Sequence, residues 1–85
     1  MTTLRTETSC EIDDLIDAIR EKTNKSYDEV EKAMDKAYLF PESKKTYVDT
    51  RFRNDDEKDN QWLYNVIYDI MDDNKISSMY ITTAI

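Results

Sequence analysis

Apolar residues recur at helical spacing in three stretches of this chain and alternate loosely in two others. Ile12, Leu15, Ile16 and Ile19 stand at i, i+3, i+4 and i+7, one stripe of an α-helix, with Asp13, Asp14 and Asp17 on the opposite side. Just before them, Thr8-Ser9-Cys10-Glu11 has the S/T-x-x-E form of a capping box, and Arg20 and Lys22 suit the negative end of the helix dipole. A second box, Ser26-Tyr27-Asp28-Glu29, opens a helix expected over about 27–39. It should bury Tyr27, Val30, Met34, Ala37 and Tyr38, and Pro41 should end it, because the residue before a proline is pushed out of helical geometry. A third helix is expected over about 57–72. Its band of Trp62, Leu63, Val66, Ile67, Ile70 and Met71 is widened by Tyr64 and Tyr68, which places it at the centre of the core. Asn54-Asp55-Asp56 offers its turn and cap.

Residues 46–52 are rich in β-branched and aromatic side chains and read as a short strand. Residues 76–82 favour a strand over a terminal helix or a frayed tail. The expected fold is therefore mainly α (α+β), in the order α-α-β-α-β. It comprises an N-terminal helical hairpin, a central third helix and a small two-stranded β element. Within one domain spanning 1–85, residues 1–7 form a flexible lead, 8–40 the hairpin, 41–54 a basic strand or loop, and 55–85 the central helix and terminal strand. Ile12, Leu15, Ile16, Ile19, Val30, Met34, Leu63, Val66, Ile67 and Ile70 should form the core.

Composition narrows the function more than the fold. Eighty-five residues leave room for one core, and nine aromatic residues argue against full disorder. Glycine is absent, which excludes glycine-rich phosphate loops and should move left-handed turn positions onto Asn or Asp. No apolar run approaches the about 20 residues that span a bilayer, and no signal-peptide stretch opens the chain. With the lone thiol of Cys10, this reads as a cytoplasmic protein, or one of the host cytoplasm if phage-encoded. Small size, the missing Gly and His, and richness in Asp, Lys, Asn, Ile and Tyr raise the suspicion of a phage or mobile-element origin.

Chemistry is restricted next. With no histidine, the usual general base near neutral pH is missing, and Ser/His/Asp or Cys/His pairs cannot form. Carboxylates at i, i+4, such as Asp13 with Asp17 or Asp69 with Asp73, read as a solvated acidic face. One cysteine and no histidine leave no zinc ligand set. The run Asp55-Asp56-Glu57-Lys58-Asp59-Asn60 lacks the spacing, turn glycine and closing glutamate of a calcium loop. No enzymatic activity, metal or cofactor is expected. Cys10 reads as an inert thiol.

Asp14-Leu15-Ile16-Asp17-Ala18-Ile19-Arg20-Glu21-Lys22-Thr23, followed by Ser26 and by Glu31-Lys32-Ala33-Met34-Asp35, resembles the opening helical hairpin of HU-type nucleoid proteins over less than a third of the chain. This chain has no glycine in the turn, no basic β-arm and no proline-bearing tip, and it is acidic where that family is basic. The resemblance therefore implies a shared supersecondary arrangement and carries no DNA-bending function.

The net charge of −7 is unevenly spread: residues 1–40 carry −4, residues 41–54 carry +2 and residues 55–85 carry −5. Such a field repels nucleic acid and anionic membranes and attracts basic surfaces. The basic island of Lys44, Lys45, Arg51 and Arg53 reads as a solvated or salt-bridged face. The reading favoured by these features is a small acidic interaction module that binds and modulates or inhibits another protein, one with a basic surface, as a host-takeover factor does. Two alternatives stand beside it: a nucleic-acid mimic that occupies a basic groove, and a helical DNA-binding transcription regulator using the basic island. Direct nucleic-acid binding and membrane binding are not expected, and a homodimer stays open because small domains gain stability by oligomerising. The candidate contact residues are Asp13, Asp14 and Asp17; Asp55, Asp56, Glu57 and Asp59 at the start of the third helix; and Trp62 and Tyr64 as aromatic anchors.

Overall fold

A strand forms where the sequence suggests a helix cap. The computed structural model describes residues 6–39, 46–55 and 60–83, the side chains of residues 54 and 55 excepted. Its elements are β1 (Glu7–Glu11), α1 (Ile12–Thr23), α2 (Tyr27–Lys36), β2 (Thr46–Asp49), a 3₁₀ helix (Thr50–Asp55), α3 (Gln61–Asp73) and β3 (Ser78–Thr82). The result is a small α+β domain with a three-stranded sheet in the order β1-β3-β2, against the two-stranded element expected. β3 is central, parallel to β1 from Glu7↔Ser78 to Glu11↔Thr82 and antiparallel to β2 from Thr46↔Ile81 to Asp49↔Ser78.

The first capping box does not form. Thr8, Ser9 and Cys10 are strand residues, and Glu11 is both the last residue of β1 and the N-cap of α1, without a side-chain capping hydrogen bond. Asp13 and Asp14 in the first turn meet the positive end of the helix dipole instead. Thr6 and Glu7, expected in a flexible lead, are anchored: the Thr6 carbonyl accepts from Ser77 N–H at 2.8 Å, and Ser78 Oγ donates to Glu7 Oε2 at 3.4 Å. The second capping box does form, with Glu29 N–H donating to Ser26 Oγ at 3.2 Å.

Helix ends explain most of the remaining differences. α2 stops at Lys36, short of 39, because Tyr38 takes a left-handed conformation (φ 57°). Leu39 N–H then reaches back to Met34 O at 2.9 Å and Tyr38 N–H to Asp35 O at 3.1 Å, the two bonds of a Schellman motif. Leu39 is thereby folded into the core, while Tyr38, expected inside, is 86% exposed. α3 ends the same way: Lys75 (φ 58°) donates to Asp72 O at 3.1 Å and Ile76 to Met71 O at 2.8 Å. In α1 the left-handed residue is Asn24, which donates to Arg20 O. Left-handed positions thus fall on Asn24 as expected, but also on Tyr38 and Lys75. Pro41 lies outside the described residues.

The strand expected over 46–52 stops at Asp49 for a local reason. The Asp49 side chain is buried and accepts from Arg51 N–H at 2.9 Å, from Arg51 Nε at 3.1 Å and from the Tyr47 hydroxyl at 2.7 Å. This side-chain turn bends the backbone into the 3₁₀ helix. α3 runs from Gln61 with Asn60 as N-cap, and residues 57–59, expected in its first turn, lie outside the described residues.

The helices pack against β3 through Met79 and Ile81, which join Ile12, Leu15, Ile16, Ile19, Val30, Met34, Leu63, Ile67, Tyr68 and Met71 in one core. Val66, expected in it, is only partly buried, as is Tyr27. Tyr47 and Tyr80 alternate to the other side of the sheet, their ring centroids 4.9 Å apart. Among the described residues, no helix is long and apolar enough to cross a membrane.

Two outcomes follow from this packing. Leu15 and Ile67 are 1% and 0% exposed, so Leu15→Ala or Ile67→Ala is expected to lower unfolding free energy by roughly 2–5 kcal/mol, read by denaturant or thermal melts. Tyr38→Gly, by contrast, is expected to leave stability unchanged or raise it by up to about 1 kcal/mol, because glycine takes the left-handed position without steric cost. A clear loss of stability in that variant would show that the exposed ring matters more than its backbone.

Candidate functional site

α1 buries one face and offers the other. Ile12, Leu15, Ile16 and Ile19 are at most 4% exposed, which fixes the helix rigidly, while Asp13, Asp14 and Asp17 are exposed on the opposite side. Helical rise puts Asp13 and Asp17 one turn apart with Asp14 beside them. Asp13 Oδ1 accepts from the Tyr27 hydroxyl at 3.1 Å, a neutral donor that leaves its charge intact and holds the tyrosine proton, raising that group's pKa. Asp17 meets Arg20 at 3.6 Å in an exposed i, i+3 pair, a geometry worth at most about 1 kcal/mol. Asp14 has no ion pair among the described residues.

The acids of α3 differ. Arg53 Nη2 lies 3.1 Å from Asp72 and 3.8 Å from Asp69, with its guanidinium 4.9 Å from the Tyr68 ring. Lys22 Nζ donates to Asp73 at 2.7 Å, tying α1 to the end of α3, and this hydrogen bond holds the ammonium pKa above its ordinary value. Those carboxylates are structural partners. On α1, Asp13 and Asp14 face no cation among the described residues.

The second acidic group cannot be joined to the first: Asp56, Glu57 and Asp59 lie outside the described residues, as do Lys44 and Lys45, and only the backbone of Asp55 is described. The described half of the basic island is engaged inside the domain, Arg51 with the buried Asp49 at 3.1 Å and Arg53 with α3. It is a salt-bridged face.

Trp62 and Tyr64 do not gather with the aspartates. Tyr64 is half-buried, its hydroxyl donating to Ala37 O at 3.4 Å and its ring stacked on Tyr68 at 6.3 Å. Trp62, also half-buried, lies under Lys25, whose Nζ is 4.8 Å from the ring centroid. It lines an open groove of about 380 Å³ between α2 and the start of α3, together with Lys25, Lys32, Lys36 and Asn60. Sequence reasoning missed this convergence. Its signal was present in Lys32 and Lys36 at i, i+4, but nothing local ties them to Trp62. A second cleft, of about 440 Å³, opens at the α1–α2 turn between Asp17, Arg20, Glu21, Asn24 and Lys25. Among the described residues, no group of three or more metal-ligating side chains is gathered.

Cys10 is half-buried in β1. Desolvation first, then the nearby Asp14 and Glu11 charges, push its thiol pKa above the ordinary value. A comparison with known protein families, curated proteins and solved structures returns no match for this chain.

The raised thiol pKa sets a measurable outcome. Because the thiolate is the reacting species, Cys10 is expected to alkylate more slowly at neutral pH than a free thiol, with the midpoint of its pH–rate profile displaced upward. Asp14→Asn should move that midpoint back down. A profile matching that of a free thiol would contradict the burial and the Asp14 field together.

Proposed function

We propose that the chain is a small non-enzymatic interaction module that acts in the cytoplasm by binding a protein with a basic surface and modulating or inhibiting it. The observation that carries this reading is the α1 ridge. Asp13, Asp14 and Asp17 stand exposed on a helix whose other face is locked in the core. Asp13 and Asp14 meet no cation among the described residues, whereas Asp17 is paired with Arg20 and the acids of α3 with Arg53 and Lys22. Like charges one turn apart destabilise a helix by a few tenths of a kcal/mol per pair, so the row is not explained by helix stability alone. The absence of histidine supports a non-catalytic role. The regulator alternative rests phosphate contact on Lys44, Lys45, Arg51 and Arg53, and it is weakened because Arg51 and Arg53 already hold carboxylates of their own chain.

Affinity capture identifies the partner, and kinetics then test the mode. Charge-steered association places the effect of salt in the on-rate more than in the off-rate. The triple variant Asp13→Asn, Asp14→Asn, Asp17→Asn is expected to lower the on-rate several-fold and flatten its salt dependence, with the fold intact by circular dichroism. An on-rate indifferent to both salt and the substitutions would remove the ridge from the mechanism.

A further inference from the structure

The described residues lining the groove between α2 and α3 carry a net positive charge, opposite to that of the whole chain. Lys32 and Lys36 stand one helical turn apart on α2, both exposed, and neither has an ion-pair partner among the described residues. Lys25 completes the cationic set. Its ammonium is held over the Trp62 ring at 4.8 Å and contacts Glu29, the one carboxylate lining the groove among the described residues, only loosely at 3.9 Å. Trp62 and Ala33 form an apolar wall.

A second observation is independent of the lysines. Asn60 lines the same groove, is 7% exposed, and its side chain makes neither the capping hydrogen bond open to an N-cap residue nor any other among the described residues. Buried amides are almost always satisfied, so an unpartnered one on a groove wall marks a place for a ligand acceptor. Three ammoniums and an amide supply donors. The matching ligand must supply acceptors and more than one negative charge.

We infer that this groove binds a diphosphate group, either as inorganic pyrophosphate or as the phosphate tail of a nucleotide. Lysine ammoniums serve phosphate as point charges. Three of them exceed what one carboxylate can use and match the charge of a diphosphate. A volume of about 380 Å³ falls in the range of small-ligand sites. The overall charge of −7 does not forbid it, because at physiological ionic strength charges beyond about 8 Å are largely screened. The phosphates take Lys32 and Lys36, draw Lys25 from Glu29 and accept from Asn60 Nδ2. The Trp62–Ala33 wall is left for the organic part of a nucleotide. This site is independent of the α1 ridge and of any protein partner.

Trp62 is the sole tryptophan, so it reports on its own groove. The test titrates the full chain with inorganic pyrophosphate, with ADP and with a glutamate-rich peptide, following Trp62 fluorescence and confirming by calorimetry. Saturable binding of pyrophosphate or ADP is expected, with ADP the tighter where the wall contributes. The double variant Lys32→Gln, Lys36→Gln should weaken it at least about tenfold, the loss expected when charge-assisted hydrogen bonds are removed. Lys75→Gln removes a charge at the opposite end of α3, about 20 Å away, and should change affinity by less than about twofold. Circular dichroism verifies that each variant is folded. No saturable response at millimolar ligand, equal loss in Lys75→Gln, or tighter binding of the acidic peptide would each overturn the assignment.

Discussion

The pairing of β3 with both other strands is the interaction on which the rest of the domain depends. Its partner β1 lies about seventy residues earlier, at Glu7↔Ser78, so the sheet closes only when the two ends of the chain meet. Two strands alone are marginal in water, and β2 with β3 would be such a pair. Adding β1 makes three. Met79 and Ile81 then come under α1 and α3, completing the core that fixes the helices. The edge is secured at its start by the Thr6 carbonyl, which accepts from both Ser77 and Ser78. The position of every candidate side chain on α1 follows from that closure, because β1 runs into α1 without an intervening residue.

The same dependence explains what could be read from the sequence. The stripe from Ile12 to Ile19, the cap at Ser26 and the buried band through Leu63, Ile67 and Ile70 are local patterns, and each formed. β1 is different. Its five residues, Glu7-Thr8-Ser9-Cys10-Glu11, carry one apolar side chain and happen to spell a capping box, while their partner strand is invisible to any local window. Asp49 is hidden from a local reading for a similar reason: a buried carboxylate is recognisable only where Arg51 and Tyr47 converge on it. The α1 ridge was legible because helical spacing suffices to place it. The lysine groove was not, because it needs α2 packed beside the start of α3.

A chain without glycine has to end its helices by other means, and here it does so at Tyr38, Lys75 and Asn24. A non-glycine residue in the left-handed region costs roughly 1 kcal/mol, which a Schellman motif offsets by satisfying two carbonyls and seating an apolar residue. Leu39 does this for α2, packing at 4% exposure, and Ile76 is partly buried after α3. The tertiary contact beyond the helix, more than the residue at the turn, decides where these helices stop. Tyr38 is pointed outward as a consequence of Leu39 turning in, so its exposure needs no functional cause.

Both charged patches lie where helix dipoles favour them, and that separates what structure alone explains from what it leaves over. Asp13 and Asp14 occupy the first turn of α1, and Lys36 the last turn of α2. A dipole accounts for acids at one helix start and a cation at another helix end. Asp17, beyond the first turn, is met by Arg20 instead, but neither a dipole nor an ion pair among the described residues accounts for Lys32, a turn inside α2. Least of all does a dipole account for Asn60, whose buried amide has no hydrogen bond among the described residues to offset its desolvation. A structural role would be served by a residue that capped α3 or by an apolar one that filled the wall. An amide that does neither is more readily understood as part of a site that is complete only with a ligand in it.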